Sequence, residues 1–280
     1  ERDRMVAAVA AEVGQKYLGG IGSDAIYHDT YIENVHNQCD VTLVMDEGAD
    51  STKIGTKGGS AYGICGQICG HVIGCSNSGD ITAVNTGSDT QVVGIGGNYI
   101  QNCYNTGNVT NSNSGIGAYG IGRYYDGSEV INCYNVGTIT AKYSVYGIGN
   151  AGITKNCYNA GELVQTGDPN DYTAGGVNGS RPYGTRIYPV CSANTGYLEN
   201  CCYLELEQEL ANAVGTSMAH EELLQAAGFL GDAFVFNGKS GYHEGYPVLR
   251  WETETEAYQN QPREPITAVT LLEGAAETLS

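Results

Sequence analysis

The chain has 280 residues, of which 31 are acidic and 13 are Lys or Arg, so its formal net charge is −18. It lacks the excess of Lys and Arg that nucleic acids and anionic membrane surfaces require, and it has no apolar run of the roughly 18 residues that membrane insertion needs. Its 41 glycines, 21 tyrosines and 16% charged residues indicate a folded, turn-rich β protein rather than a disordered chain.

Residues 1–19 are predicted to form an N-terminal helical cap. Met5, Val6, Val9 and Val13 recur at helical spacing and give this segment one apolar face. Such a cap would cover strand edges at the open end of a repeat array. A β-strand is the alternative for this segment.

Residues 20–203 are built from two short units that alternate along the chain. The longer unit is clearest at residues 99–110, which read Tyr-Ile-Gln-Asn-Cys-Tyr-Asn-Thr-Gly-Asn-Val-Thr. The shorter unit is Gly-Ile-Gly or a close variant, and internal repetition on this scale indicates a stacked array. The longer unit recurs at residues 32–42, 72–82, 130–140 and 154–164 and in part at 198–203, and the shorter unit begins at Gly20, Gly63, Gly94, Gly120, Gly147 and Gly176.

Alignment of the copies separates core positions from corners. One column is apolar in nearly every copy, and three residues later a second column is Cys, or Val35 in the first copy, which indicates a small buried side chain. Between them lies a column of Asn, replaced once by Gly74. These residue types interchange where φ is positive, so the chain is expected to turn there. The predicted structural ladders are the buried thiols Cys75, Cys103, Cys133 and Cys157 and the asparagines Asn105, Asn135 and Asn159, which would hydrogen-bond from coil to coil.

These columns predict an all-β fold. A parallel β-helix or closely related β-solenoid of about six irregular coils, with short helical caps, fits them best, because a single coil cannot bury its own inward side chains. The alternative is a set of antiparallel hairpins, since Thr-Gly-Asn is also favourable hairpin-turn chemistry.

The ten cysteines do not by themselves indicate a disulfide framework. Five of them belong to the buried column, and we expect most of them to be free thiols. The spacing of Cys65, Cys69, His71 and Cys75 could be read as a zinc site. However, Cys75 belongs to the column and Cys65 to a Gly-Ile-Gly variant, so both already have a structural explanation.

Residues 204–251 are predicted to form a C-terminal cap with one helix. Ser217 is a favourable N-cap residue, and Gly228 follows the end of the apolar pattern. All three Phe residues and the only Trp, Trp251, fall in this segment, which indicates a small core of its own. Residues 252–265 are polar and contain two prolines, so we interpret them as a linker. Residues 266–280 open with a strand pattern and are predicted to begin a further domain.

The paired units, closed by Gly-Tyr-Pro-Val-Leu-Arg-Trp at residues 245–251, resemble the GLUG-motif repeats of secreted and cell-surface bacterial proteins. In this chain Ile replaces Leu, and the doubled first glycine is often absent. Such repeats occur in adhesin-like proteins of Gram-positive gut bacteria and as non-catalytic segments of IgA1-specific metallopeptidases. The resemblance implies a secreted or cell-surface bacterial location, and the final segment resembles the first strand of a bacterial Ig-like domain.

Tyrosine is the residue type with the best case for a binding role. Tyr104, Tyr134 and Tyr158 share one column, in which other copies carry His36 and Ser76. A column that accepts Ser and His is expected near the surface, where stacked rings would form an aromatic strip that binds sugars or a protein. The alternative is a ladder that only stabilises the sheet. Tyr99 and Tyr125 are expected to extend the strip, as are Tyr119, Tyr124, Tyr143 and Tyr146.

Calcium is the one cofactor that the composition leaves open. Asp168, Asn170 and Asp171 cluster oxygen ligands, although a solvated turn explains them as well. No nucleophile or acid–base constellation stands out, so the sequence predicts no catalytic residues and no enzyme activity.

Three functions are consistent with this sequence. The first is a non-catalytic surface module that adheres to host glycans, mucins or immunoglobulins, or that displays and spaces binding domains. The second is a non-catalytic segment of a larger secreted peptidase or carbohydrate-active enzyme, with flanking domains as partners. A β-helix polysaccharide lyase or hydrolase is the least favoured, because the acid–base pair it needs is missing.

Overall fold

The computed structural model describes twelve stretches of the chain, in which strands dominate and helices are few and short. No helix within them is long and apolar enough to cross a membrane. The stretches are residues 16–21, 31–44, 59–65, 70–84, 91–112, 117–122, 125–149, 151–169, 184–191, 196–207, 210 and 213–261.

The first sheet contains the Gly-Ile-Gly units. Its strands lie side by side in chain order, and every pairing between neighbours is parallel. They are β1 (Lys16–Ile21), β5 (Gly59–Ile64), β9 (Gln91–Ile95), β13 (Gly117–Ile121), β16 (Ser144–Ile148) and β19 (Arg186–Tyr188).

The second sheet carries the first half of the longer unit, and its strands also pair in parallel. They are β2 (Tyr31–Glu33), β3 (His36–Asn37), β6 (His71–Ile73), β7 (Ser76–Asn77), β10 (Tyr99–Gln101), β11 (Tyr104–Asn105), β14 (Tyr125–Asn135), β17 (Ala151–Asn159), β20 (Tyr197–Glu199), β21 (Cys202–Leu204) and β22 (Thr216–Met218).

The third sheet carries the Val-Thr or Ile-Thr end of the longer unit, again in parallel. Its strands are β4 (Val41–Val44), β8 (Ile81–Val84), β12 (Val109–Asn111), β15 (Ile139–Ala141) and β18 (Leu163–Gln165). Because each repeat pairs with the equivalent residues of the next, the alternative of antiparallel hairpins is wrong for the repeats.

A C-terminal cap, which we define as residues 219–261, follows the repeats. It contains short helices and one antiparallel pair of strands. These are α1 (His220–Leu224), α2 (Ala227–Leu230), β23 (Phe234–Val235), a 3₁₀ helix at His243–Gly245, β24 (Val248–Leu249), a second 3₁₀ helix at Arg250–Glu254 and α3 (Glu256–Gln259).

Several predicted boundaries shift in the structure. Residues 16–19 belong to strand β1 rather than to a helical cap, and residues 1–15 lie outside the described residues. Ser217 lies in strand β22, so the predicted helix at 217–227 begins only at His220 and breaks after Leu224. The first part of the predicted linker is helical. The predicted strand that follows residue 265 lies outside the described part.

The sixth copy of the shorter unit was predicted at residues 176–178, which lie outside the described residues. Within the described residues, the sixth strand of the first sheet is β19. Tyr146 pairs with Tyr188, which places Pro189 and Val190 opposite Gly147 and Ile148. Val190 is fully buried in the same core cluster as Ile148. This strand keeps the apolar residue in the inward position and lacks the flanking glycine of the other copies.

The predicted corner is confirmed. Every residue of the Asn/Gly column has a positive φ, between 49° and 63°, and this turns the chain between the two halves of the second sheet. The residues are Asn34, Gly74, Asn102, Asn132, Asn156 and Asn200.

The predicted asparagine ladder is also confirmed, and it runs through the interior. Each side chain except the last donates from Nδ2 to Oδ1 of the next asparagine at 2.7 Å. The same nitrogen donates to the backbone carbonyl two residues later, at 2.8–2.9 Å. Both amide hydrogens are therefore used at Asn37, Asn77, Asn105 and Asn135, and Asn159, the last in the row, donates to the carbonyl of Gly161.

Glycines of the first sheet face this ladder across the core. A Cβ added to Gly120 would lie 2.6 Å from Oδ1 of Asn135 and 2.5 Å from the carbonyl oxygen of Gly147. Gly63, Gly94 and Gly147 meet the ladder in the same way. The two repeat units thus depend on each other, because the ladder leaves no room for a side chain opposite it.

Two apolar clusters lie on either side of the ladder. One joins the isoleucines of the first sheet to the apolar and cysteine columns of the second, and the other joins the first sheet to the third. Cys75, Cys103, Cys133 and Cys157 are buried and free, as predicted. Burial raises the pKa of the Cys133 and Cys157 thiols, which keeps them protonated as small apolar side chains.

Gly120→Ala tests the contact between the two units. We expect it to lower the free energy of unfolding by about 3 kcal/mol or more, because backbone and a hydrogen-bonded amide must both move. The control is Gly228→Ala in α2, where nothing lies within 4 Å of the added Cβ and the change should be neutral or stabilising. Urea unfolding followed by circular dichroism measures both. Equal stability of the two variants would contradict the packing described above.

Candidate functional site

An exposed row of stacked rings crosses the outer face of the second sheet. Tyr31, His71 and Tyr99 immediately precede the apolar column in successive copies, and they occupy equivalent positions on β2, β6 and β10. The rings of Tyr31 and His71 stack with centroids 4.4 Å apart, and those of His71 and Tyr99 stack at 4.7 Å. We call these three residues the aromatic strip.

The strip is accessible, most of all at Tyr31. His71 and Tyr99 are half-buried by their neighbours, whereas 60% of Tyr31 is exposed. Only one face of the Tyr31 ring stacks on His71, so the other face is open to a ligand. His71 presents its edge, because both of its faces stack on tyrosines.

The row continues along the sheet with different chemistry. Glu129, Ile153 and Tyr197 follow Tyr99 in register on β14, β17 and β20. Tyr197 is 54% exposed and donates its hydroxyl to Oε2 of Glu199 at 2.6 Å. This hydrogen bond, together with Lys155 at 3.0 Å, lowers the pKa of Glu199 and keeps it ionised.

A parallel row two residues further along each strand widens this surface. It alternates acidic, amide and half-exposed aliphatic side chains, and Lys155, whose Nζ pairs with Glu199, is its only basic member. With six strands about 4.8 Å apart, the face is roughly 24 Å long. The row consists of Glu33, Ile73, Gln101, Ile131, Lys155 and Glu199.

The predicted tyrosine column exists but is not an exposed strip. Tyr104 stacks on Tyr134 at 5.2 Å and Tyr134 on Tyr158 at 4.9 Å, so the rings do form a ladder. Tyr134 and Tyr158 are fully buried and Tyr104 is half-buried. The prediction of exposure was wrong because the C-terminal cap packs on this column through Leu223, Leu230, Phe234, Tyr246 and Leu249.

Trp251 of the cap fills a gap in the column. Ser76 lies in register between His36 and Tyr104 and leaves a space where the other copies carry a ring. The indole stacks on His36 at 5.5 Å and on Tyr104 at 5.6 Å, and its Nε1 donates to the carbonyl of Asn102. The cap therefore docks at a defined register.

A polar cluster is enclosed beside Trp251. Glu252 is fully buried, and its carboxylate accepts hydrogen bonds from Tyr134 at 2.8 and 2.9 Å, from Tyr242 at 3.1 Å and from the backbone N–H of Leu249 at 2.7 Å. Nδ1 of His243 lies 2.6 Å from the Tyr134 hydroxyl and 3.5 Å from Oε2 of Glu252. The cluster joins the cap to the middle of the tyrosine column.

The other predicted tyrosines do not extend this site. Tyr119 and Tyr146 lie on the first sheet, where they stack at 4.6 Å and continue to Tyr188. These two rings and Tyr143 are buried. The side chain of Tyr125 and the whole of Tyr124 lie outside the described residues. Of the predicted set, only Tyr99 belongs to the exposed strip.

The described residues do not assemble the predicted metal ligands. Asp168 is exposed, and Asn170 and Asp171 lie outside the described part of the chain. Cys65 is disulfide-bonded and His71 stacks between two tyrosines, which argues against the zinc reading. Within the described ranges, no three His, Cys, Asp or Glu side chains lie close enough to hold a metal ion.

Tyr31, His71 and Tyr197 are the surface residues that the sequence analysis did not identify. All three stand one position before the apolar column, so the alignment that located the Cys and Asn columns contains this row too. Its aromatic character is masked because the row also contains Glu129 and Ile153. Trp251 and Glu252 gave no such signal, since neither belongs to a repeat.

Comparisons of the chain with protein-family models, with curated proteins and with solved structures found no match.

Tyr134→Ala tests the burial of the tyrosine column. We expect a loss of about 3–5 kcal/mol in unfolding free energy, because the substitution removes a fully buried ring together with the hydroxyl that donates to Glu252. The control is Tyr197→Ala, an exposed ring whose loss should cost less than about 1 kcal/mol. Urea midpoints followed by circular dichroism compare them. Similar small losses would mean that the cap does not cover the column.

Proposed function

We propose that this chain is a non-catalytic binding and display module of a secreted or cell-surface bacterial protein. In this proposal the three parallel sheets are the faces of a β-solenoid. Each of the first five repeats supplies strands to the three sheets in the same order, and the asparagine ladder joins one repeat to the next. The resemblance to GLUG-motif repeats supports the location.

The observation that carries a binding role is the exposed aromatic strip. The cap covers the rings of Tyr134 and Tyr158, whereas the rings of the strip remain accessible. Here Tyr31 leaves one ring face open, and an aliphatic and polar row runs alongside the strip. A flat surface roughly 24 Å long suits an extended ligand that lies across several repeats.

The charge of this face indicates the class of ligand. Glu33, Glu129 and Glu199 lie along it, its one lysine is already paired, and the whole chain has a net charge of −18. An anionic chain such as a sialylated or sulfated glycan would be repelled. A neutral glycan, free or carried on a mucin or an immunoglobulin, fits the surface best. Tyr31 would stack on a sugar, and the carboxylates would accept hydrogen bonds from sugar hydroxyls.

A spacer role within a larger secreted peptidase or carbohydrate-active enzyme is the second candidate. It is favoured by Phe229 and Phe236 on the cap, which are 40% and 56% exposed. Two exposed phenylalanines on one cap would suit packing against a neighbouring domain. In that case the aromatic strip would have no ligand of its own.

A glycan array separates the two candidates. We expect saturable binding to neutral linear glycans and weak binding to their sialylated or sulfated counterparts, with and without calcium. Tyr31→Ala and Tyr99→Ala should each weaken binding roughly tenfold or more, because buried aromatic anchors dominate such contacts.

The matched control is Phe236→Ala, which removes an exposed ring elsewhere and should leave binding unchanged. Circular dichroism must show that all variants remain folded. No binding to any glycan, mucin or immunoglobulin would reject the adhesive function and favour the spacer.

A further inference from the structure

Glu252 is the only acidic side chain buried within the described residues. It lies at the contact between two parts of the molecule, with the cap on one side and the tyrosine column on the other. Burial of a carboxylate is costly unless the group is paired or protonated. The groups around Glu252 therefore determine whether this carboxyl group is paired with a cation or protonated when the cap is docked.

The groups that face Glu252 are hydroxyls and an imidazole rather than a cation held close to it. Strand β14 contributes Tyr134, and the cap contributes Tyr242 and His243. Tyr104 and Tyr158 flank Tyr134 in the column. The buried Lys239 is engaged elsewhere, because its Nζ donates to the carbonyls of Tyr258 and Gln259. Among the described residues, no Lys or Arg forms an ion pair with Glu252.

The distances permit an uncharged chain of hydrogen bonds. A protonated Glu252 can donate to the Tyr134 hydroxyl, which in turn donates to Nδ1 of His243 at 2.6 Å. Tyr242 and the Leu249 N–H still donate to the remaining lone pairs of the carboxyl group. Every polar atom of the cluster is then satisfied without a buried charge.

We propose that this cluster is a pH-sensitive latch, in which the proton on Glu252 holds the cap on the tyrosine column and loss of that proton loosens it. The proton passes to solvent, and no other group changes. Because Trp251 directly precedes Glu252, loosening of the cap would also withdraw the indole from the gap above Ser76 and uncover the column. This inference does not rest on the proposed glycan binding.

The pKa values agree with this direction. Burial raises the pKa of Glu252 from 4.5 to about 8, against the opposing effect of its hydrogen-bond donors. Burial lowers the pKa of His243 from 6.5 to about 4, so the imidazole is neutral when docked. A carboxyl with a raised pKa stabilises the docked state at low pH, and this contribution is lost as the pH rises through about 8.

The histidines have the opposite effect on the pH dependence of docking, because they favour the docked cap at higher pH. The penalty that His243 imposes on docking is largest below about pH 4, decreases between about pH 4 and 6.5, and is gone above 6.5. His36 stacks on Trp251, and burial lowers its pKa as well, so it acts in the same direction as His243. Above pH 6.5 the Glu252 contribution therefore dominates, and docking should weaken toward pH 8.5.

Fluorescence of Trp251 measures the latch directly, because it is the only tryptophan and lies in the docked contact. We expect urea titrations of the full chain to give a cap-docking constant that falls roughly tenfold between pH 6.5 and 8.5. Circular dichroism of the sheets should change much less over the same range. A docking constant that is unchanged from pH 6.5 to 8.5 would overturn the proposal.

Glu252→Gln is the matched variant, because its amide is neutral and similar in shape. We expect it to dock with little pH dependence above pH 6.5. A tenfold decrease that persists in this variant would assign the effect to another group and overturn the proposal. If Glu252→Gln fails to fold, Tyr242→Phe provides the second test. This variant lacks one donor to the carboxylate, so its docking should weaken at a higher pH than docking of the wild type. The same pH dependence in both proteins would count against the latch.

Discussion

The buried row of asparagines is the interaction on which the rest of the structure depends. Each amide in the row except the last donates both hydrogens, and each after the first accepts one from its neighbour, so a repeat shifted by one residue would bury unpaired amides. Such a group costs about 1–3 kcal/mol in each repeat.

The row also determines two glycine positions. Gly120 must be small because Asn135 lies opposite, and Gly107 must be small because the carbonyl of Gly79 lies against it. Cys39 takes the place of this turn glycine in the first copy of the longer unit.

Much of this arrangement can be predicted from one sequence, because stacking makes equivalent positions face identical surroundings. Substitutions between copies then report the environment. Gly74 among asparagines reports a positive φ, and Val35 among cysteines reports a small buried side chain. Parallel pairing follows, since only parallel neighbours superimpose equivalent residues. The same reasoning fails where a strand has lost the marker residue, as at Pro189, which replaces the glycine of the sixth Gly-Ile-Gly strand.

The site was harder to predict because exposure in a repeat array depends on what lies outside the array. His36 and Ser76 suggested a surface column, yet they mark the place where Trp251 enters. Docking of the cap joins residues more than a hundred positions apart, such as Tyr134 and Glu252, and no column of the repeat contains that information. The aromatic strip is the reverse case. Tyr31 and His71 were visible in the alignment, but only the register showed that they stack on Tyr99.

The two ring ladders of the second sheet lie on opposite sides of the corner at Asn102, and Trp251 lies at the boundary between them. Its indole N–H binds the carbonyl of Asn102, three residues after Tyr99 of the strip, and its ring stacks on Tyr104 of the covered column. The covered ladder needs partners for its hydroxyls, and the cap supplies them at Glu252 and at the carbonyl of Pro247. The strip needs no such partners, because water reaches its ring edges. The position of one cap side chain thus sets how much aromatic surface the module exposes, and the protonation of its neighbour Glu252 is the property of the chain best placed to change it.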